Sequence, residues 1–403
     1  MLIVATTAGM IELCNKNNIT LLNEMGMLVD VVANFSEGNA IPDEKIEELK
    51  KWIVQRGGNY YDFPISRKIR GIFHNYKAYR MILDLIEKKH YLFMHCHTPF
   101  GAVIGRLAAH KKNLPVIYTA HGFHFYKGAP LINWMFFYPV EKWLSKYTDV
   151  LITINHEDYQ LAREKFYAKN TIYIPGIGID IDKFKSIDGG EDIRNEVCVG
   201  PNSGGIEKKN LKRAVIRNSI GVPNEAFMIV SVGEVNRNKN HSVVIKAISK
   251  LKNEEIYYVI AGQGKLKDKL VKLANSLGVK ERVRFLGYRS DVAELYKSAD
   301  VCAFPSIREG QGLAAIEGMA SGLPLVVADN RGTRDFVTPE NGIMCDHYDA
   351  EAFANAIRKL YYNPALCNEM KENNKKASDK YDYRLILEQM RIIYKQFSIE
   401  EMR

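Results

Sequence analysis

No two cysteines in the 403-residue chain are spaced as C-x-x-C, and the six present, Cys14, Cys96, Cys198, Cys302, Cys345 and Cys367, are scattered. Several sit in apolar runs, which predicts buried thiols in a reducing compartment in place of a disulfide framework. Long apolar runs are also missing. The most apolar internal stretch, LINWMFFYPV, spans only 131–140, whereas about twenty residues are needed to cross a bilayer. It reads as a core helix. Attachment to a membrane face is the other reading, because Lys127, Lys142 and Lys146 lie beside its aromatic residues. The first residues, MLIVATTAGM, carry no basic leader and read as a first strand instead of a signal peptide.

Apolar residues make up 46% of the chain and charged residues 26%, the balance of an ordinary folded protein. The length fits two domains of roughly 150 to 200 residues each. The net charge of +9 is unevenly placed. Arg67, Lys68, Arg70, Lys77, Arg80, Lys88, Lys89, Arg106, Lys111 and Lys112 face only Asp84 and Glu87 in that part of the sequence. Such a basic first half suits phosphates, anionic lipid or nucleic acid. For nucleic acid the charge stands alone, without an aromatic–basic recognition motif.

Short apolar strands alternate with longer amphipathic segments along the whole chain, the pattern of a parallel sheet covered on both faces. Strands are expected at 2–6, 28–34, 91–96, 115–120, 149–154 and 171–175, with an irregular link around QRGGNYYDFP at 55–64. A second series is expected at 226–233, 256–262, 283–287, 300–305, 324–329 and 342–345. Periodicity disappears over a polar, Gly-rich stretch, read as a flexible insertion at about 187–209. The fold class is therefore α/β, with two Rossmann-like doubly wound domains. Domain one is expected over 1–182 and domain two over 183–383. A cleft between the carboxyl-terminal strand edges is the default ligand site.

Four loops of the second half carry unusual chemistry. GEVNRNKN at 233–240 places Arg237 and Lys239 beside a helix start, a candidate diphosphate clamp. AGQGK at 261–265 supplies Gly262 and Gly264 for close backbone approach to a ligand, without a GxGxxG or GxxxxGK[ST] pattern. LGYRSD at 286–291 presents Tyr288 and Arg289 as flanks for a base. FPSIREGQGLAAIEG at 304–318 places Glu309 in a turn and Glu317 in a small-residue helix, where a carboxylate is costly unless something satisfies it. Two carboxylates at different depths suit the two diols of a nucleotide sugar.

In the first half, HCHTPFG at 95–101 and AHGFHFYKG at 120–128 follow strands. His95, His97, His121 and His124 lack an acidic partner at metal-site spacing, so no metal is expected and His121 is read as facing a diphosphate-linked sugar. The turn TTAG at 6–9 adds backbone donors at Gly9.

Taken together, VGEVNRNKNH, VIAGQGKL, VRFLGYRSDV, FPSIREGQGLAAIEGMASGLPLVVADNRGTRDFV and TAHGFHFYKG resemble glycosyltransferase family 4, the retaining GT-B enzymes, in particular those of bacterial capsule, exopolysaccharide or O-antigen assembly. The resemblance implies that Glu309 contacts the donor hexose and Glu317 the ribose. It implies that Gly312 and Leu313 line the donor site at the head of their helix. Many members carry Arg where this chain has Glu234, so the phosphates fall to Arg237 and Lys239. His121 would touch the donor sugar, and residues around Tyr288 and Arg289 would hold the base. It further implies a final helix, about 384–403, that crosses back onto the first domain. The implied reaction is transfer from a nucleoside-diphosphate sugar, UDP-linked, to a polyprenyl-diphosphate saccharide at the cytoplasmic face of a membrane, with retention and without a divalent metal. A nonhydrolysing UDP-N-acetylglucosamine 2-epimerase and a noncatalytic sugar-nucleotide-binding partner are the alternatives.

Overall fold

The protein is seen here in a computed structural model that describes residues 1–39, 41–67, 71–185, 204–252 and 255–398. The chain forms two compact units, Met1–Ile177 with Arg384–Arg403, and Gly178–Tyr383.

The strands of the first unit are β1 (Leu2–Thr7), β2 (Asp30–Asn34), β3 (Tyr60–Asp62), β4 (Met94–His97), β5 (Val116–Ala120), β6 (Val150–Thr153) and β7 (Asn170–Tyr173). They form one seven-stranded sheet in the order β3-β2-β1-β4-β5-β6-β7, every pair parallel. β1 is buried along its whole length, which explains why it reads LIVATT with no polar alternation. The helices are α1 (Ala8–Cys14), α2 (Lys16–Glu24), α3 (Asp43–Gln55), α4 (Ile72–Lys88), α5 (Pro99–Lys111), α6 (Leu131–Leu144) and α7 (His156–Lys165). One core layer joins the sheet to α1, α2 and α3, and the other joins it to α4, α5 and α7.

In the second unit, α8 (Ile181–Phe184) and α9 (Gly204–Ser219) lead into β8 (Phe227–Val232), α10 (His241–Lys250), β9 (Ile256–Ala261), α11 (Lys267–Ser276), β10 (Val283–Gly287) and α12 (Val292–Ser298). β11 (Val301–Phe304), α13 (Leu313–Ala320), β12 (Leu325–Ala328), β13 (Gly342–Cys345), α14 (Ala350–Tyr361) and α15 (Pro364–Ala377) follow. Its parallel sheet runs β10-β9-β8-β11-β12-β13. The last helix, α16 (Tyr383–Lys395), returns to the first unit, where Ile386, Met390, Ile393 and Tyr394 are buried in the α1–α3 layer. In both sheets the order reverses direction beside the first strand, at β1/β4 and at β8/β11, and loops that can receive a ligand gather at such switch points.

Four expectations need correction. Residues 60–62 of the expected irregular link form β3, an edge strand with largely exposed side chains, so burial leaves no apolar alternation to read there. The first boundary falls at Ile177 instead of 182, because Ile179, Ile181 and Phe184 are buried in the core of the second unit. Of the expected insertion at 187–209, residues 187–203 lie outside the described residues, and 204–209 already belong to α9. Finally, α6 is a core helix on one face only. Of the cysteines, Cys96, Cys302, Cys345 and Cys367 are buried as expected and Cys14 is half-buried, while Cys198 lies outside the described residues.

α6 is fixed to the first unit by a buried charge cluster. Glu141 accepts from Arg106 Nη2 at 2.7 Å and from the Tyr118 hydroxyl at 3.1 Å, and Arg106 Nε also donates to the Ala102 carbonyl. Arg106 is 1% exposed and Glu141 5%. Removing one partner of such a pair leaves a buried uncompensated charge. Glu141→Ala is therefore expected to lower unfolding stability by about 3 kcal/mol, read as a shifted urea midpoint; a change within the noise of a surface substitution would refute this role.

Candidate active site

At the carboxyl end of the second sheet, the loop after β8 and the turn after β11 are joined at backbone level. Asn238 Nδ2 donates to the Arg308 carbonyl at 2.9 Å, Asn238 Oδ1 accepts the Arg308 N–H at 3.2 Å, and the Ile307 N–H donates to the Asn238 carbonyl at 2.8 Å. The next residue, Lys239, reaches across to Glu309, Nζ to Oε1 2.7 Å. Its ammonium also lies 5.0 Å from the centre of the Phe304 ring. Both side chains of the pair are mostly covered. Buried Arg331 donates from Nε to the Glu309 carbonyl, which holds the turn from the other side.

Glu317 lies about one turn into α13, half-buried. Burial pushes its carboxyl up to about 7, opposed by the charge of Lys183, a hydrogen bond from Tyr296 and the charge of Lys239. Lys239 thus pairs with Glu309, and its charge is the last of the three influences that favour the ionised form of Glu317. α13 opens at Gly312, whose φ of +104° is a conformation that favours glycine. No side chain caps the amino end of this helix at Leu313, and that end carries partial positive charge.

The remaining expected residues have other surroundings. Arg237 is exposed and lines a different hollow of about 240 Å³, with Asn240, Leu266, Ile307, His347 and Tyr348. Lys239, Glu309 and Glu317 are not among the residues lining that hollow. Gly262 and Gly264 serve loop packing: a Cβ on Gly262 would stand 1.8 Å from the Gly233 carbonyl oxygen, and one on Gly264 2.3 Å from that of Val235. The sequence showed that something approaches these glycines closely; here it is neighbouring backbone. Tyr288 is 65% exposed, and Arg289 is forked onto Asp291, with Nε to Oδ1 at 2.7 Å.

In the first unit, the Gly9 N–H is already donated to Asn39 Oδ1 at 2.9 Å, so it is not an open donor. His121, after β5, pairs with His97, the last residue of β4, His121 Nε2 to His97 Nδ1 3.1 Å. Burial lowers His121 to about 4 and holds His97 well below its ordinary value, so both rings are neutral at pH 7. His97 Nε2 is buried without a partner. An orphan acceptor is tolerated better than an orphan N–H, which assigns the proton to His97 Nδ1 and leaves His121 Nδ1–H as a donor. The loop beyond is anchored by Asp158, which accepts from the Phe123 N–H and from Asn155 Nδ2. His95 bridges Tyr394 of α16 and Thr119. Among the described residues no group of three or more His, Cys, Asp and Glu is placed to hold a metal ion.

Three contributors were given no role from the sequence. Asn238 is one of three alternate asparagines in a charged turn, His97 precedes its partner on the adjacent strand, and Lys183 sits at the domain boundary. Only the pairing of β4 with β5, and of the two loops, gives them their neighbours.

Two family descriptions match the chain: Glycosyltransferase Family 4 over residues 17–183 and Glycosyl transferases group 1 over residues 212–377. EpsD of Bacillus subtilis (strain 168), a glycosyltransferase by provisional designation, is 38% identical over 378 residues, 92% of this chain and 90% of its own. The UDP-Gal:alpha-D-GlcNAc-diphosphoundecaprenol alpha-1,3-galactosyltransferase of Escherichia coli is 27% identical over 311 residues, 74% of this chain and 73% of that one. HepE of Anabaena, solved in complex with UDP-glucose, superposes with a TM-score of 0.75 at 18% identity, covering 98% of this chain and 99% of that one, which shows a common fold. Fold and relatives together define a GT-B enzyme that transfers glycosyl groups. The chain belongs to glycosyltransferase family 4 and is related to enzymes of lipopolysaccharide and other surface-polysaccharide biosynthesis.

The raised Glu317 carboxyl makes a testable statement about pH. Between about 4.5 and about 7 the folded protein holds a proton on Glu317 that the unfolded chain releases, so this group's contribution to stability falls as pH rises through that window. Glu317→Gln should stabilise the protein by roughly 2 kcal/mol at pH 8, after discounting for partial exposure, and by little at pH 4.5. Urea unfolding at the two pH values checks it; an equal effect at both would exclude a displaced titration.

Proposed function

We propose that the enzyme transfers a hexose or N-acetylhexosamine from a UDP-sugar to a polyprenyl-diphosphate-linked saccharide, with retention at the anomeric carbon, during assembly of a surface polysaccharide. The observation that carries the reading is the Lys239–Glu309 ion pair at the strand ends of the second sheet, with Glu317 in the helix that opens just after the same turn. Support for the donor comes from HepE, solved with UDP-glucose, and for the acceptor from the E. coli relative, whose name specifies a diphosphoundecaprenol-linked sugar.

Each residue then has a chemical task. Glu317 accepts the ribose hydroxyls and Glu309 those of the donor sugar. Lys239, together with the uncapped N–H groups at Gly312 and Leu313, meets the diphosphate. Its charge matters most when the bond from the anomeric carbon to the diphosphate oxygen breaks and negative charge grows on the leaving group. The new bond forms from the acceptor hydroxyl on the same face. The acceptor proton passes to the departing diphosphate, and UDP leaves. His121 donates from Nδ1 to the sugar, with His97 fixing its tautomer. Arg237, turned to another hollow, contributes long-range charge, and Tyr288 and Arg289 border the base. As proposed, the reaction needs no divalent metal and takes place at the cytoplasmic face of a membrane. No helix among the described residues is long and apolar enough to cross one.

Transfer assays with UDP-sugars and an undecaprenyl-diphosphate saccharide test the reading. Lys239→Ala and Glu309→Gln are each expected to lower kcat/KM about 100-fold, Arg237→Ala less than about tenfold, and chelators to have no effect. An epimerised donor in the absence of acceptor, or undiminished transfer by both variants, would defeat the assignment. Hydroxyls donated to a carboxylate favour its charged form, so UDP binding near pH 7 should release protons, seen by calorimetry in buffers of different ionisation enthalpy. Glu317→Gln should abolish that release.

A further inference from the structure

Helix α6 has the reverse of a surface helix's usual polarity. Its exposed positions, 131, 132, 135, 136, 139, 140 and 143, follow one face of the helix, and every one is apolar. Leu131 is 79% exposed, Met135 70% and Phe136 60%. The carboxylate of the helix, Glu141, is turned inward onto Arg106 and Tyr118. An amphipathic helix facing water would place its charge outside and its Leu, Met and Phe inside. Here the inward face is also apolar, with Trp134, Phe137 and Tyr138 packed on the α4–α5 layer, so burial on the protein does not account for the outer row.

Cations stand at both ends of that row. Lys127 precedes the helix, and Lys142 and Lys146 lie at its end, each 5.3 Å from the centre of the half-exposed Tyr167 ring. We propose that α6 docks the first unit onto a lipid surface bearing anionic headgroups, its outer row entering the boundary between headgroups and acyl chains and its lysines meeting phosphates. An interfacial helix of this kind needs only one apolar face with basic residues beside it. A second copy of the chain fits less well. Two α6 helices laid face to face would bring lysines against lysines in either direction, whereas anionic headgroups would meet them with opposite charge. The surface is read from α6 alone; its use in catalysis rests on the lipid-linked acceptor proposed above, which such docking would bring within reach.

Flotation of the full chain with phosphatidylcholine vesicles, with and without phosphatidylglycerol, tests the proposal in the absence of donor and acceptor. The protein is expected to float with the anionic vesicles and to be partly released by high salt. Met135→Glu combined with Phe136→Glu should reduce partitioning at least tenfold, and Lys142→Glu with Lys146→Glu should remove the preference for anionic lipid. Both pairs should keep the urea midpoint and UDP affinity of the parent, since none of the four is among the residues assigned to the donor above. Absence of flotation with anionic vesicles, or undiminished flotation of the Met135/Phe136 variant, would overturn the proposal. Conversion of a dimer to a monomer by that variant, seen by light scattering, would assign the face to a second copy. Loss of transfer to the lipid-linked acceptor in detergent, with flotation intact, would instead count against the acceptor reading and leave the docking surface standing.

Discussion

The chemistry of the second unit depends on one join between two loops. Asn238 and the 307–308 backbone exchange three hydrogen bonds, and this fixes where Lys239 begins. From that point the ammonium reaches Glu309, and its charge, with that of Lys183, opposes the effect of burial on Glu317. Because β8 and β11 are neighbours in the sheet while the loops that follow them are 70 residues apart in the chain, the join exists only once the parallel order is built. Glycines 262 and 264 belong to the same construction, since they let the loop after β9 lie directly against the loop after β8.

The first unit uses burial in a different way. Three of its histidines are taken largely out of solvent and linked to neutral partners, His95 to Tyr394 and Thr119, His97 to His121. Such rings act as oriented dipoles and hydrogen-bond donors at neutral pH, and their low affinity for protons keeps them from becoming cations beside a phosphate. Tyr394 belongs to α16, so the carboxyl-terminal helix contributes to the position of this row through a single hydroxyl as well as through its apolar face. The buried Arg106–Glu141 pair does comparable work for α6, holding a helix whose outer face gains nothing from water.

Much of this was legible in the chain. The two series of apolar strands were expected to within a residue or two at most edges, because a strand covered on both faces must be apolar throughout and is bounded by the polar turns beside it. Glu317 stood out for a physical reason, a carboxylate in a helix of small apolar residues, and its environment does raise its affinity for protons. Edge strand β3 escaped notice because an exposed three-residue strand has no burial pattern. Segment 131–140 was read as core because composition reports how apolar a helix is without reporting how many of its faces are covered.

What the amino-acid order settled by itself was local: strand and helix positions, the unusual acids at 309 and 317, and the motifs that place the chain in its family. Partnership was settled by the tertiary fold. Arg237 and Lys239 are two residues apart and of like charge, yet one lines a hollow beside α11 and the other pairs with Glu309. Side chains two apart in a loop leave in directions set by the backbone torsions between them, and those torsions are imposed by hydrogen bonds to strands that are distant in sequence.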